Sequence, residues 1–360
     1  DTNTNSVNGY LLSETEKAQR RALIARINKD SYNQVIEEVA YTWFNRFSAL
    51  RFMEVNGYLP SHVRVFTDNN NNFKPQILDE ALNLDLDGLD KDKVYELKQN
   101  NKDEELYKYL VITQCNDLNK VLPVMFQKIS DYTELLFPDN LLHDGSVIER
   151  MINDIPEENW NVTDGGQIEI IGWLYQYYIT EMHEEVVDPL HGKVVNKDDV
   201  PAATQLFTTD WVVRYLIDNS VGRYWIERHP NSQLRKYLKY FVTSKDDKIN
   251  YINEDIKPEQ LTIFDPCMGS AHFGVYAFEV LERIYVECGY SERDAAASIV
   301  KNNLFGLDID ERAAQLANFA IMMKAMQYDK RFLTRGIQPQ FYCIEESNVV
   351  DSYLIDYFAN

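Results

Sequence analysis

The chain has 360 residues, and its 36 Lys and Arg set against 57 Asp and Glu leave a formal charge of −21, which argues against a surface that grips nucleic acid over much of its area. With 45% hydrophobic residues it can build packed cores, which excludes wholesale disorder, and the length suggests about two domains. No run of roughly eighteen apolar residues predicts a membrane span, the first residues lack the regions of a secretory signal, and the four cysteines lack paired spacing, so the expectation is a cytoplasmic protein with no membrane contact, disulfide scaffold or metal centre.

The first 200 residues read as a helical domain. Ser13-Glu14-Thr15-Glu16 has the capping-box pattern that opens a helix. Val35, Val39, Trp43, Phe47 and Leu50 recur at helical spacing in a second helix, which should end near Gly57 and Pro60. Asp68 to Asn72 reads as a surface loop. Asn83-Leu84-Asp85-Leu86-Asp87-Gly88 imitates the start of a calcium loop, but the twelfth position, which should supply a bidentate Glu, is Val94; a solvated acidic turn is the expectation. Ile168, Ile171, Leu174, Tyr175 and Tyr178 mark another helix, whose stripe reads as packed core. Residues 188–200 read as a mobile connection.

From about Leu206 to the end, in a second domain taken as residues 201–360, helices and strands alternate. Strands are expected at 261–264, 303–308 and 341–344, with helices from Phe273, Ser291 and Asp310 between them. That order makes the fold class α/β, with a parallel sheet and doubly wound connections, and ligands of such sheets bind at the carboxyl ends of the strands. The first strand ends in Asp265-Pro266-Cys267-Met268-Gly269-Ser270-Ala271, and the second ends in Asp308. Small residues before a helix N-terminus allow a ligand close to the backbone, and an acid after the second strand suits a ribose diol. The turn has one glycine rather than the Gly-x-Gly-x-x-Gly of dinucleotide sites, and no Gly-Lys-Ser/Thr occurs. A nucleoside cofactor without a pyrophosphate is left, and S-adenosylmethionine fits best.

Asp265 to Phe273 resembles the first motif of adenine-specific DNA methyltransferases, usually Asp-Pro-x-Cys-Gly-Ser-Gly-x-Phe. The longer run to Lys324, including Gly306-Leu307-Asp308-Ile309-Asp310-Glu311-Arg312, resembles the PglX methyltransferases of BREX phage-defence systems, relatives of type I and IIG restriction-modification methyltransferases. Tyr41 to Pro60, Gly172 to Tyr178 and Gln205 to Val213 share the resemblance. It implies a helical N-terminal domain followed by the first part of a Rossmann-like class I methyltransferase sheet. It also implies a methyl transfer from S-adenosylmethionine to the exocyclic amine of adenine, on double-stranded DNA and beside other defence-system proteins.

Carried over residue by residue, the resemblance gives Phe207 and Thr208 the methionine carboxylate and Asp265 the ammonium. The backbone at Cys267 and Gly269, with Ser270 beside it, lines the tail; Asp308 takes the ribose hydroxyls and Ile309 packs on the adenine. Glu346, or Glu345, reaches the adenine amine, with Ser347 as its neighbour. Thr209 stands where many relatives have Pro, and Ala271 stands where Gly is usual, a costly exchange if that turn needs a positive φ. His272 reads as a helix-start residue packed beside the turn rather than as a base.

In this family the target base is held by Asn-Pro-Pro-Tyr/Phe. The sequence contains no Asn-Pro-Pro, so no catalytic residue is assigned, and the 360 residues read as the N-terminal part of a longer enzyme, inactive alone, that meets DNA mainly through its C-terminal part. Two other classes stand beside this one: a non-catalytic scaffold with a degenerate methyltransferase fold, and a nucleotide-dependent oxidoreductase, which the missing glycines disfavour. No Pro-Asp with a following Glu-x-Lys marks an endonuclease in the helical half.

Overall fold

The computed structural model describes residues 6–7, 10–128, 132–187, 195, 200–205, 208–345, 350, 353 and 357. Most of the expected 188–200 connection, and the candidate residues Phe207, Glu346 and Ser347, lie outside them. The chain forms two compact units, Asp1–Ile171 and Gly172–Asn360.

The first unit is helical. Helix α1 (Glu14–Lys29) starts on the expected capping box: Glu16 N donates to Ser13 Oγ at 3.2 Å, and Ser13 N donates to Glu16 Oε2 at 2.7 Å. Helix α2 (Tyr32–Val55) buries Val35, Val39, Trp43, Phe47 and Leu50, and gives way to Gly57 at φ +66°. Trp43 meets Phe137 edge-on at 4.6 Å between ring centroids, a favourable aromatic geometry. Helix α3 (Lys91–Gln99) is capped by Asp90 and buries Val94, the residue at the twelfth position of the calcium-like run. Helix α4 (Asp103–Leu118) adds Leu106, Tyr107, Leu110 and Val111 to the core.

That core also holds an ion pair that the apolar spacing did not reveal. Arg51 and Glu54, one turn apart on α2, are both buried, with Nη1 donating to Oε1 at 2.7 Å. The other Glu54 oxygen accepts the backbone N–H groups of Val65 and Phe66 at 2.7 and 2.8 Å. A buried charge needs such partners to offset its lost hydration.

In the second unit, helices α5 (Ile170–Val186, nearly all of it here), α6 (Val200–Thr204) and α7 (Asp210–Ile217) precede a three-stranded sheet. Strands β1 (Ile263–Asp265), β2 (Leu304–Asp308) and β3 (Gln340–Cys343) are all parallel, in the order β1-β2-β3. Asp265 lies beside Gly306, and Asp308 beside Cys343. Parallel neighbours require crossovers, and helices α8 (His272–Glu287), α9 (Glu292–Ser298) and α10 (Glu311–Tyr328) provide them.

Among the described residues the sheet is covered by helices on one face. Its strands advance in one direction only, and right-handed crossovers then place every connecting helix on the same face. Leu304, Gly306 and Phe341 face that layer and are buried, whereas Phe264 and Tyr342, on the opposite face, are each more than half exposed. Early in α5, Gly172 lies against Ser270 and Tyr175 donates to Asp310, so this helix is part of the second unit. A helical stripe in a sequence shows that a face is buried without showing what buries it. Among the described residues no helix is long and apolar enough to cross a membrane.

Candidate functional site

Two turns at the carboxyl ends of β1 and β2 build the site. The first follows Asp265, whose Oδ1 accepts the N–H of Cys267 at 3.1 Å and so bends the chain immediately. Gly269 has φ +52°, and Ala271 lies in the left-handed region at φ +68° and ψ 35°, where it caps α8. The positive φ that made Ala271 a costly exchange is therefore present. Gly306 serves the same turn from β2, since a Cβ there would sit 2.4 Å from Met268 Sδ.

The second turn follows Asp308. Its carboxylate is almost fully buried and joins the two turns: Oδ2 accepts Gly269 N and Oδ1 accepts Asp310 N, each at 2.8 Å. Asp310 in turn caps α10, accepting Arg312 N at 3.0 Å. Ile309, between the two acids, is 56% exposed and presents an apolar surface.

A cleft of about 460 Å³ opens over these turns. Of the candidate residues it brings together Thr208, Cys267, Gly269, Ser270, Asp308 and Ile309. Asp265 is at the strand end beside this set rather than among the residues that line the cleft. Gln205, Met268, His272 and Ile344 also line it and had no assigned role as ligand contacts. Gln205 could have been found, since it opens the Gln205 to Val213 run; Ile344 carried no signal beyond its place after a strand.

Burial pushes the Asp265 carboxyl above its ordinary range; the Cys267 N–H opposes the rise and neighbouring Asp308 adds to it. Burial holds the His272 imidazole below its ordinary value against a weaker pull from Asp210. His272 is the first residue of α8, the helix-start position at which the sequence placed it. Ser270 Oγ is buried and finds no hydrogen-bond partner among the described residues, an arrangement that costs free energy unless a ligand supplies one. Asp308 in the lining, Asp265 beside it, an unpartnered hydroxyl, an open glycine backbone and an apolar shelf suit a nucleoside with a cationic tail. In a low-dielectric cleft, a bound cation would offset the repulsion between Asp265 and Asp308.

The chain was compared with known proteins. A profile described as the MmeI DNA-methyltransferase domain matches residues 242–351, which include the three strands of the parallel sheet. The adenine-specific methyltransferase BrxX of Escherichia coli O9:H4 (strain HS) is 39% identical over 350 residues, covering 94% of this chain and 28% of that protein. The adenine-specific methyltransferase PglX of Lacticaseibacillus casei (strain Zhang) is 40% identical over 369 residues, covering 95% of this chain and 30% of that protein. A putative type II restriction enzyme and methyltransferase of Methanocaldococcus jannaschii is 24% identical over 220 residues, covering 51% of this chain. The chain thus spans under a third of the length of the two most similar of these, while nearly all of it aligns with them. Over nearly all of its length the chain is thus similar in sequence to the PglX and BrxX adenine-specific methyltransferases.

Proposed function

We propose that the cleft binds S-adenosylmethionine, and that the chain is the cofactor-holding part of a DNA adenine methyltransferase of phage defence, built on a Rossmann-like class I sheet. The observation that carries this reading is the Asp308 carboxylate bonded to Gly269 N, which sets an acid, a glycine turn and an apolar shelf around one cleft. In this assignment Asp265 faces the methionine ammonium, and Cys267, Gly269 and Ser270 line the tail. Asp308 keeps lone pairs for the ribose hydroxyls after accepting its two N–H groups, because each carboxylate oxygen can accept twice. Ile309 supports the adenine ring, and Thr208 with Phe207 meets the carboxylate. Glu346, with Ser347, is assigned to the adenine amine.

Bound there, the cofactor supplies a sulfonium methyl for attack by the exocyclic amine of adenine. The protein's contribution is orientation and electrostatics, since reactants held in line gain most of what an amine nucleophile lacks. The substrate in this reading is duplex DNA, from which the target base must swing out of the stack. With no Asn-Pro-Pro in its sequence, the 360-residue chain should bind cofactor without methylating DNA.

Calorimetry with S-adenosylmethionine tests the reading. The chain should show saturable binding, and Asp308→Ala should weaken it at least about tenfold, the loss of one good charged hydrogen bond. No heat from the parent chain would leave a scaffold in place of a cofactor site. Methyl label appearing on DNA with these 360 residues alone would overturn the assignment of the chain as the non-catalytic part.

A further inference from the structure

Helix α5 touches both turns of the site from consecutive turns of one face. Gly172 lies against the first: a Cβ there would stand 2.4 Å from Ser270 Oγ and 3.0 Å from His272 Nε2, so only glycine lets the helix backbone approach. Three residues on, fully buried Tyr175 donates its hydroxyl to Asp310 Oδ2. Asp310, itself 4% exposed, accepts Arg312 N and Nε on Oδ1 at 3.0 and 2.9 Å, and Arg312 Nη2 on Oδ2 at 3.2 Å. Asp310 N donates to Asp308 Oδ1, and Gly269 N donates to Asp308 Oδ2. One hydrogen-bonded path therefore runs from Tyr175 through Asp310 and Asp308 to Gly269.

We infer that Tyr175 is a positioning residue for the nucleoside side of the cleft, fixing the Asp308 carboxylate through Asp310 while Gly172 seats the same helix on the first turn. The inference rests on the proposed cofactor reading for its ligand, though not for the brace itself. The physical ground is that hydrogen bonds to a buried carboxylate are strong and directional. Without the hydroxyl, Asp310 Oδ2 is left to the longer contact from Arg312, and its backbone N–H can drift from Asp308. The stripe of aromatic residues on α5 then has one member whose polar tip matters more than its ring.

Tyr175→Phe in the full 360-residue chain is the test, read in two ways. Without ligand, hydrogen exchange of the segments 266–271 and 308–312 should quicken several-fold while that of α8 is unchanged; an unchanged rate in both segments would refute the brace. With ligand, the variant should bind S-adenosylmethionine about tenfold more weakly, yet bind its 2′,3′-dideoxyribose analogue as the parent does. Equal losses for both ligands would mean a general loosening and would overturn the positioning role. Asp310→Asn, which keeps a side-chain oxygen to cap α10, should reproduce the Tyr175→Phe pattern in part, and a parental pattern would count against the path. If the parent binds neither ligand, the cofactor reading fails while the exchange measurement still decides the brace.

Discussion

Replacing Asp308 with Ala should destabilise the second unit by about 2–5 kcal/mol, quite apart from its effect on any ligand. The carboxylate is almost fully buried and is the acceptor for two backbone N–H groups, Gly269 and Asp310, each at 2.8 Å. Each amide stranded away from water costs about 1–3 kcal/mol. One effect opposes this: Asp308 raises the Asp265 carboxyl, so its removal relieves some repulsion, though burial and the Cys267 N–H act on that carboxyl more strongly. Asp308→Asn keeps one oxygen and can satisfy one of the two amides, so it should cost about half as much. Because the chain has two compact units, a single melting curve need not be two-state. Hydrogen exchange of residues 263–312 in graded urea isolates the second unit. If Ala came within about 0.5 kcal/mol of the parent, or Asn cost as much as Ala, the two amides would not be what Asp308 supports.

In the first unit, Glu54→Ala should cost about 3–5 kcal/mol by leaving the buried Arg51 guanidinium only the more distant Glu157 as counter-charge and removing the acceptor of the Val65 and Phe66 amides, seen as a large fall in the urea midpoint of α2 exchange; a loss under about 1 kcal/mol would show the pair to be dispensable. Asp265→Asn should stabilise the second unit at pH 7. The folded chain holds the Asp265 proton more tightly than the unfolded chain does, so the native acid loses stability as pH rises through its raised pKa, and the advantage of Asn should shrink as pH falls toward 3.8. Urea titrations at pH 7 and pH 5 with the advantage larger at pH 5 would reverse that sign. Ala271→Gly should change stability by less than about 1 kcal/mol: relief of roughly 1–2 kcal/mol of left-handed strain is offset by about 0.8 kcal/mol for the buried methyl and about 0.4–1 kcal/mol of unfolded-chain entropy. A gain above about 2 kcal/mol would mean that the methyl contributes nothing.

The three strands and the helices between them were legible because each is a local pattern: a short apolar run ending in an acid, then a stripe at helical spacing. The expected 261–264 became Ile263–Asp265 and the expected 341–344 became Gln340–Cys343, shifts of a residue or two. The capping box at Ser13 was legible for the same reason, since both partners lie within four residues. What escaped was set by partners distant in sequence. Tyr175 and Asp310 are 135 residues apart, and nothing in an aromatic stripe says which hydroxyl will meet a carboxylate. Arg51 and Glu54 sit inside a run otherwise read as core, and only the fold supplies the Val65 and Phe66 amides that make their burial affordable. The site residues that the cleft gathers came from motif resemblance, and Asp265, set apart from the lining, bends the turn that presents them.

The small residues around this site are not interchangeable, and the reason differs at each position. Gly269 has open space around it and a φ of +52°, so what a side chain would meet there is backbone strain alone. Gly306 has the reverse problem: its backbone is ordinary strand, but Met268 occupies the room a Cβ needs. Gly274 lets α8 close on Ile321 and Phe341, with a Cβ there only 3.3 Å from each. Ala271 combines strain with burial, since its methyl lies 3.5 Å from where a Gly274 Cβ would be. A Cβ at position 274 would meet the Ala271 methyl only at ordinary contact distance, so Gly274 is required by Ile321 and Phe341, and what Ala271 has to overcome is its own left-handed backbone.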